Sequence, residues 1–434
     1  MVDFLNFIGI NEPVISTLTP FWVVIKNWWW LPLPFILWFP LKFFYLWFIQ
    51  TKWDDTMPDI LLEVKIPKEV ERPMKAMEQV FSSFWTLYDP PSFKEKWVQG
   101  HFLLNFSLEI VSIEGDIHFF IRVPKVLRGM FEAAVYAQFP NVELIEADDY
   151  TRNVPQDIPN KEWDLFGWDF MFLKESCYPI KTYQNFFEEQ EGAKEEKRMS
   201  ALSVLLEGMS DFKKGEQMWF QIIAKPIVNE VEWIKEGKEI IDKLVKRPLK
   251  PKLKSIAKEA FDVVFSGTIP GQTEKPKEEI IPPEMKLTPG EREVVQAIEN
   301  KISKLAFETT MRFVYIGTKD VFFKPRVKIP LDFTAGINMA NLNGFKPWKK
   351  TLPKIVPPAI ARERMLYLKK KQLFRRFIKR QSPLFPASGG TFILNIEELA
   401  TLFHFPGRTM APTLNLSRVE AKKSGPPENL PMEE

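Results

Sequence analysis

The longest apolar run comes early. Residues 27–49 read NWWWLPLPFILWFPLKFFYLWFI, with Asn27 and Lys42 as the only strongly polar positions. As a helix, such a run would rise about 35 Å, against a hydrocarbon core of about 30 Å. Trp28, Trp29 and Trp30 stand at one end and Trp47 and Trp53 at the other, the spacing of interfacial aromatic belts. The pattern predicts a transmembrane segment. Pro40 predicts a kink, whereas Pro32 and Pro34 suit a helix start. Lys42 is costly at the bilayer centre, although its stem can snorkel. A kinked or re-entrant anchor is the alternative to a single span.

The periodicity then changes to that of an α/β chain. DILLEVKI (59–66) reads as a strand, and 74–88 repeats apolar residues at helical spacing until Asp89-Pro90-Pro91 stops it. Strands follow at 102–115 and 117–124 around a Gly115-Asp116 turn, then a helix at 125–139 and a strand at 141–149. A hairpin, a helix and a returning strand form half of a ferredoxin-like unit. The pattern recurs with a strand at 216–226, helices at 227–246, 252–265 and 290–307, and a strand at 309–318. Residues 267–289, rich in Pro, Lys and Glu, read as an exposed linker. The expected fold class is α+β: an N-terminal transmembrane segment followed by two ferredoxin-like α/β modules. The expected divisions are an anchor at 1–52, modules at 53–215 and 216–345, and a basic helix with extended tail at 346–434.

Composition adds three constraints. Apolar residues make up 45% and charged residues 26%, ordinary values for a folded chain. The net charge of +3 does not mark the whole molecule as a sink for nucleic acid. Cys177 is the one cysteine, so no internal disulfide is possible, and a buried apolar position is its expected setting. Lys52, Lys65 and Lys68 follow the apolar run and only Lys26 precedes it, which places the bulk of the chain on the cytoplasmic side of an inner membrane. Residues 1–25 hold no Lys or Arg, which argues against a signal peptide.

Charge is concentrated in 346–380, where Lys and Arg outnumber the single acid, Glu363, by 13 to one. The helical part, 359–380, also carries an apolar stripe of Leu366, Leu373, Phe374 and Phe377. A solvated basic face on a packed helix is the plain reading. The functional reading is contact with anionic lipid or DNA phosphates through Lys369, Lys370, Lys371, Arg375 and Arg376.

No catalytic constellation emerges. The Gly237-Lys238 pair precedes Glu239 and lacks the paired glycines of a phosphate-binding loop, and neither GxGxxG nor GxSxG occurs. His101, His118 and His404 have no metal-ligand partner at helical or hairpin spacing. Asp148, Asp149, Asp164 and Asp169 read as strand ends and solvated loops. No enzymatic activity and no cofactor is expected.

The stretch FILNIEELATLFHFPGRTMAPTLNLSRVEAKKSGPPENLP (392–431) resembles the segment preceding the motor domain of TraG/HerA-like conjugation (type IV secretion) ATPases. Asn395, Glu397, Glu398, Leu399, Ala400, Leu402, His404, Pro406, Pro427, Asn429, Leu430 and Pro431 carry the match. Runs 66–81 and 153–167 resemble the membrane-anchored N-terminal region of a bacterial family of this kind. The resemblance implies a platform in an oligomeric secretion or DNA-translocation machine, with a separately encoded P-loop motor ATPase and membrane lipids as partners. Glu398, Leu402, His404, Leu414 and Leu430 would face that motor. The tail 408–434 is expected to order against it as an added strand.

Overall fold

Leu33–Asp54 (α1) is a 22-residue helix that contains Pro40. The computed structural model describes residues 27, 33–67, 70, 73–186, 201–227, 232–245, 287–354, 362–381 and 390–407. Outside them lie Trp28–30, the expected helix at 252–265, the linker up to residue 286 and the tail from 408, with Leu414 and Leu430. Two compact units are present: Met1–Pro58 with Pro90–Leu103, and Asp59–Asp89 with Leu104–Glu434.

The second unit contains, in order, β1 Asp59–Lys65, α2 Pro73–Phe84, β2 Phe106–Ile113, β3 Asp116–Pro124, α3 Arg128–Gln138 and β4 Glu143–Ala147. After these come β5 Trp163–Phe172, α4 Ala201–Ser210, β6 Glu216–Ile227, α5 Glu232–Leu244, α6 Pro289–Ile302, β7 Ala306–Thr318, α7 Ile329–Ile337 and β8 Phe345–Pro347. The last three elements are α8 Arg362–Ile378, β9 Phe392–Asn395 and α9 Ile396–Leu402. Most of these match the expected elements within a few residues. The β2–β3 turn falls at Glu114-Gly115, both at positive φ, as a two-residue hairpin of primed type requires. Thr288 and Glu291 form a capping box that starts α6.

The nine strands among the described residues join one sheet in the order β4-β1-β3-β2-β6-β7-β5-β8, and β9 pairs with β7. Every pairing is antiparallel. β1–β4, with α2 and α3 between them, and β5–β8, with two further helices, α5 and α6, inserted between β6 and β7, each lie in the order fourth, first, third, second strand. The two halves meet edge to edge where β2 pairs with β6. The division expected at 215/216 would cut β5 from β7 and β8, the strands it pairs with. Of the described residues after 345, Lys346 and Pro347 in β8 and Phe392–Asn395 in β9 pair into the same sheet.

Period-two alternation sends each strand's side chains to two different layers. Phe106, Leu108 and Ile110 of β2 face the larger core with Phe220 of β6, Phe313 of β7 and Phe170 of β5; α2, α3, α4, α7 and α9 contribute to this layer. Val111, Trp219, Val314 and Leu165 face the other side, beneath Leu373, Phe374 and Phe377 of α8 and the 150–158 loop. The stripe read on the basic helix is therefore the face it buries, at Leu373, Phe374 and Phe377. The acids of β5 correct the loop reading: Asp164 and Asp169 sit inside a strand, and Asp169 is fully buried.

Candidate functional site

The first unit presents the most exposed apolar surface. Ile36, Leu37, Phe39, Phe44 and Phe48 of α1 are 53–75% exposed, and Trp38, Leu41, Phe43 and Trp47 are exposed beside them. Soluble chains seldom leave such a contiguous ring surface uncovered, and a helix apolar on all sides calls for lipid or a partner. Yet among the described residues no helix is long and apolar enough to cross a membrane. The segment 90–103 lies along α1. The Tyr45 hydroxyl donates to the Trp97 carbonyl at 2.9 Å, and Lys42 Nζ stands 4.8 Å from the Trp97 ring. Trp53 packs on His101 and Phe102 with ring centroids 4.8 and 4.9 Å away.

The basic helix α8 does not offer all of its cations to solvent. Lys370 is buried and pairs with Asp164 at 2.5 Å. Arg376 reaches Asp169 at 2.8 Å. Of the five basic residues singled out, these two are committed to the fold. Lys369 and Lys371 are half-buried, with Lys369 donating to the Leu352 carbonyl and Lys371 stacked over Tyr367, and Arg375 is exposed. Contact with a large anion would fall to Arg375, to the outer parts of Lys369 and Lys371, and to the exposed Arg362, Arg364 and Lys379.

Beneath α8 lies a feature the sequence reading missed. Glu109, Gln221, Arg312 and Asp169 stand in register across β2, β6, β7 and β5, all fully buried. Gln221 donates to Glu109 at 2.8 Å, and Ser107 and Tyr150 hydroxyls each donate to it at 2.7 Å. Arg380 donates to Glu109 at 2.8 Å and to Asp149 at 2.7 Å. Arg312 Nε lies 3.1 Å from Asp169. The Asp169 oxygens accept no aligned hydrogen bond, so it holds its two arginines by proximity of charge. Arg312 also donates to the Arg376 and Gln381 carbonyls, at 2.9 and 2.5 Å, and so fastens the C-terminal end of α8 to the sheet. That end is closed by Arg380 at φ 50°, with Arg380 N–H bonded to Phe377 O and Gln381 N–H to Arg376 O.

Burial shapes the electrostatics of this row. It pulls Arg312 down to about 10 against the opposing pull of Asp169. Burial would raise Glu109, but the Arg380 charge and the hydrogen bonds from Arg380, Ser107 and Tyr150 together outweigh it, and the carboxyl ends below its ordinary range. Glu109 is the one charged residue of β2, but β5 and β7 each carry a second charge, Asp164 and Glu308, so the sequence alone does not single out this row.

The residues expected to face a motor are buried instead. Glu398, Leu402 and His404 all have 0% exposure, so none presents a side chain to a partner. Glu398 closes the capping box of α9 with Asn395 and pairs with the fully buried Lys301 at 3.0 Å. Burial raises the Glu398 carboxyl and lowers the Lys301 amine, so desolvation outweighs their mutual attraction. Leu402 belongs to the main core. His404 Nδ1 lies 3.0 Å from the Ala400 carbonyl, and burial pushes its pKa down to about 4. Elsewhere, Cys177 is buried and its thiol is pushed up to about 11 by burial. His118 lies on β3 against Glu63 at 2.7 Å, an ordinary strand position. Among the described residues no group of three His, Cys, Asp or Glu side chains is placed to hold a metal ion.

Residues 58–415 match a family model described as a domain of unknown function (DUF8128), and the chain belongs to that family. No curated protein matches the chain.

Proposed function

We propose that this member of the DUF8128 family is a non-catalytic platform held at a membrane by α1, with its sheet domain on the cytoplasmic side. The observation that carries the reading is the bare aromatic surface of α1, where Phe39 is 75% and Phe48 63% exposed. Covering those rings with lipid removes a large unfavourable contact with water. We read the sheet as two ferredoxin-like modules joined at β2 and β6; the repeated order of fourth, first, third and second strand supports that reading. A continuous sheet packed on both faces, with a buried ionic row across the seam, suits a rigid support better than a moving part.

The role of seating a separately encoded P-loop motor, in a type IV secretion-like or DNA-translocation machine, rests on the resemblance of 392–431 alone. Residues 392–407 of that stretch are spent on β9, α9 and the core, which leaves 408–431 to meet a motor. A second reading, a lipid- or nucleic-acid-binding scaffold without a motor, is favoured by the exposed cations Arg362, Arg364, Arg375 and Lys379 on α8.

Alkaline carbonate extraction of cells expressing the full chain tests the anchor: the protein is expected in the membrane pellet, and recovery in the supernatant would overturn the reading. Affinity purification from the native host separates the two roles. A stoichiometric P-loop ATPase lost on removing 408–434 supports the motor seat, whereas salt-sensitive lipid or DNA association without one supports the scaffold.

A further inference from the structure

The stretch 90–103 cannot continue α2, because Asp89-Pro90-Pro91 stops the helix. It makes instead one wide turn of its own. Ser92 and Glu95 cap it reciprocally: Ser92 N–H donates to the Glu95 carboxylate at 2.7 Å and Glu95 N–H to the Ser92 hydroxyl at 3.4 Å. A single π turn, Glu95–Gln99, follows and ends at Gly100 with φ 79°. Gly100 is needed twice. Its φ is left-handed, and a Cβ there would overlap the Ile49 carbonyl of α1.

This strap touches α1 at Lys42, Tyr45, Ile49 and Trp53. Those positions are spaced three, four and four apart, which is one stripe of a helix. The opposite stripe carries Ile36, Leu37, Phe43, Phe44, Trp47 and Phe48, each 49–63% exposed. The helix from Lys42 to Trp53 therefore has two unlike faces. One is covered by a segment bearing Lys94, Glu95, Lys96 and Gln99, and the other is a bare row of rings. Upstream of Lys42, beyond the strap's reach, Trp38, Phe39 and Leu41 project on further sides.

We propose that α1 from Lys42 to Trp53 lies in the plane of one leaflet of an anionic bilayer, rings inward, with the strap on its water side and Lys94 and Lys96 among the headgroups. The inference rests on the membrane-anchor reading and sharpens it. A helix standing across the bilayer at this level would carry the strap's charges and its non-helical backbone into hydrocarbon, where neither is tolerated. Lying flat leaves both in water and buries the rings, as interfacial amphipathic helices do. Exposed Lys94 and Lys96 supply charge complementary to anionic lipid, and the intervening Glu95 is held by Ser92. Exposed Phe93 and Val98, 79% and 65% exposed, flank them as shallow apolar contacts.

The test is depth measurement by spin label on the full chain, with Cys177→Ala as background. Phe44→Cys, Trp47→Cys, Phe48→Cys and Thr51→Cys are labelled singly in vesicles of phosphatidylcholine and phosphatidylglycerol, as are Lys96→Cys and Gln99→Cys. In-plane packing gives the four helix positions one depth within about 3 Å, with 96 and 99 in water. A spanning helix gives a steady slope, about 10 Å from 44 to 51 at 1.5 Å per residue, and that result overturns the inference while leaving the anchor standing. Water exposure at all six positions overturns both. Lys94→Gln with Lys96→Gln should also lower binding to phosphatidylglycerol vesicles several-fold and leave binding to phosphatidylcholine alone unchanged. An equal effect on both lipids would remove the headgroup contact.

Discussion

Asp169→Asn is the sharpest probe of the ionic row under α8. The substitution keeps the side-chain size and removes the charge that Arg312 and Arg376 approach at 3.1 and 2.8 Å. Asp169 and Arg312 are both fully buried, so water cannot replace the lost carboxylate. At an effective dielectric of about 20, each contact is worth roughly 5 kcal/mol of attraction before desolvation is counted. Breaking one partner of a buried pair costs about 3–5 kcal/mol, because the remaining charge stays buried. That is a large part of the roughly 5–15 kcal/mol that holds a typical domain folded. Urea unfolding of the full chain in mild detergent, followed by tryptophan fluorescence, should show a matching fall in midpoint with an unchanged slope. Pairing Asp169→Asn with Arg312→Met should cost clearly less than the two single changes summed. A loss below about 1 kcal/mol for Asp169→Asn, or additivity within about 0.5 kcal/mol, would refute the claim that the row is a dry, coupled unit.

Three other outcomes follow from the same geometry. His404 binds its proton less readily folded, near 4, than unfolded, near 6.5, so the unfolded chain takes up more protons between these values. Stability should be full above about pH 6.5 and fall by about 3 kcal/mol as pH drops towards 4, and His404→Leu should flatten that stretch of the urea-midpoint profile. Gly167→Ala would drive a Cβ into the Phe313 carbonyl across the β5–β7 pair and should cost about 1–3 kcal/mol by thermal melting. Replacing Lys369, Lys371 and Arg375 with Gln should leave the melting temperature nearly unchanged and reduce only salt-sensitive vesicle or DNA binding, whereas Lys370→Gln or Arg376→Gln should lower stability. Equal melting behaviour in the two sets would contradict the division of α8 into bound and free cations.

Much of the sheet is legible because its strands alternate or run apolar between strong turn residues. The strands at 59–65, 106–113, 116–124, 216–227 and 306–318 all follow from that pattern. Strand 163–172 does not, because Asp164 and Asp169 interrupt an aromatic run and sequence pattern assigns charges to water. Their partners, Lys370, Arg312 and Arg376, lie 143 or more residues away and cannot be paired by periodicity. Helix 201–210 has no counterpart among the expected elements, yet its buried Leu202, Leu205, Leu206 and Met209 keep helical spacing and could have been found. The 392–407 motif was visible as a motif, but its meaning was not. Glu398 and His404 look like surface chemistry in a string of letters, and only the packing of α9 on the core reveals them as buried. The strap on α1 joins residues about 50 apart through one glycine, one hydrogen bond and three ring contacts, below the reach of any local pattern.

Flotation with lipid vesicles at high salt tests the membrane claim most directly. The purified full chain, exchanged from detergent into vesicles of phosphatidylcholine and phosphatidylglycerol, is layered under a sucrose gradient in molar salt, where headgroup attraction is screened to about 3 Å. Apolar insertion through Phe43, Phe44, Trp47 and Phe48 does not depend on that attraction, so the chain should float with the vesicles. A chain that stays at the bottom of the gradient would contradict the account, and the aromatic surface of α1 would then have to belong to a protein partner.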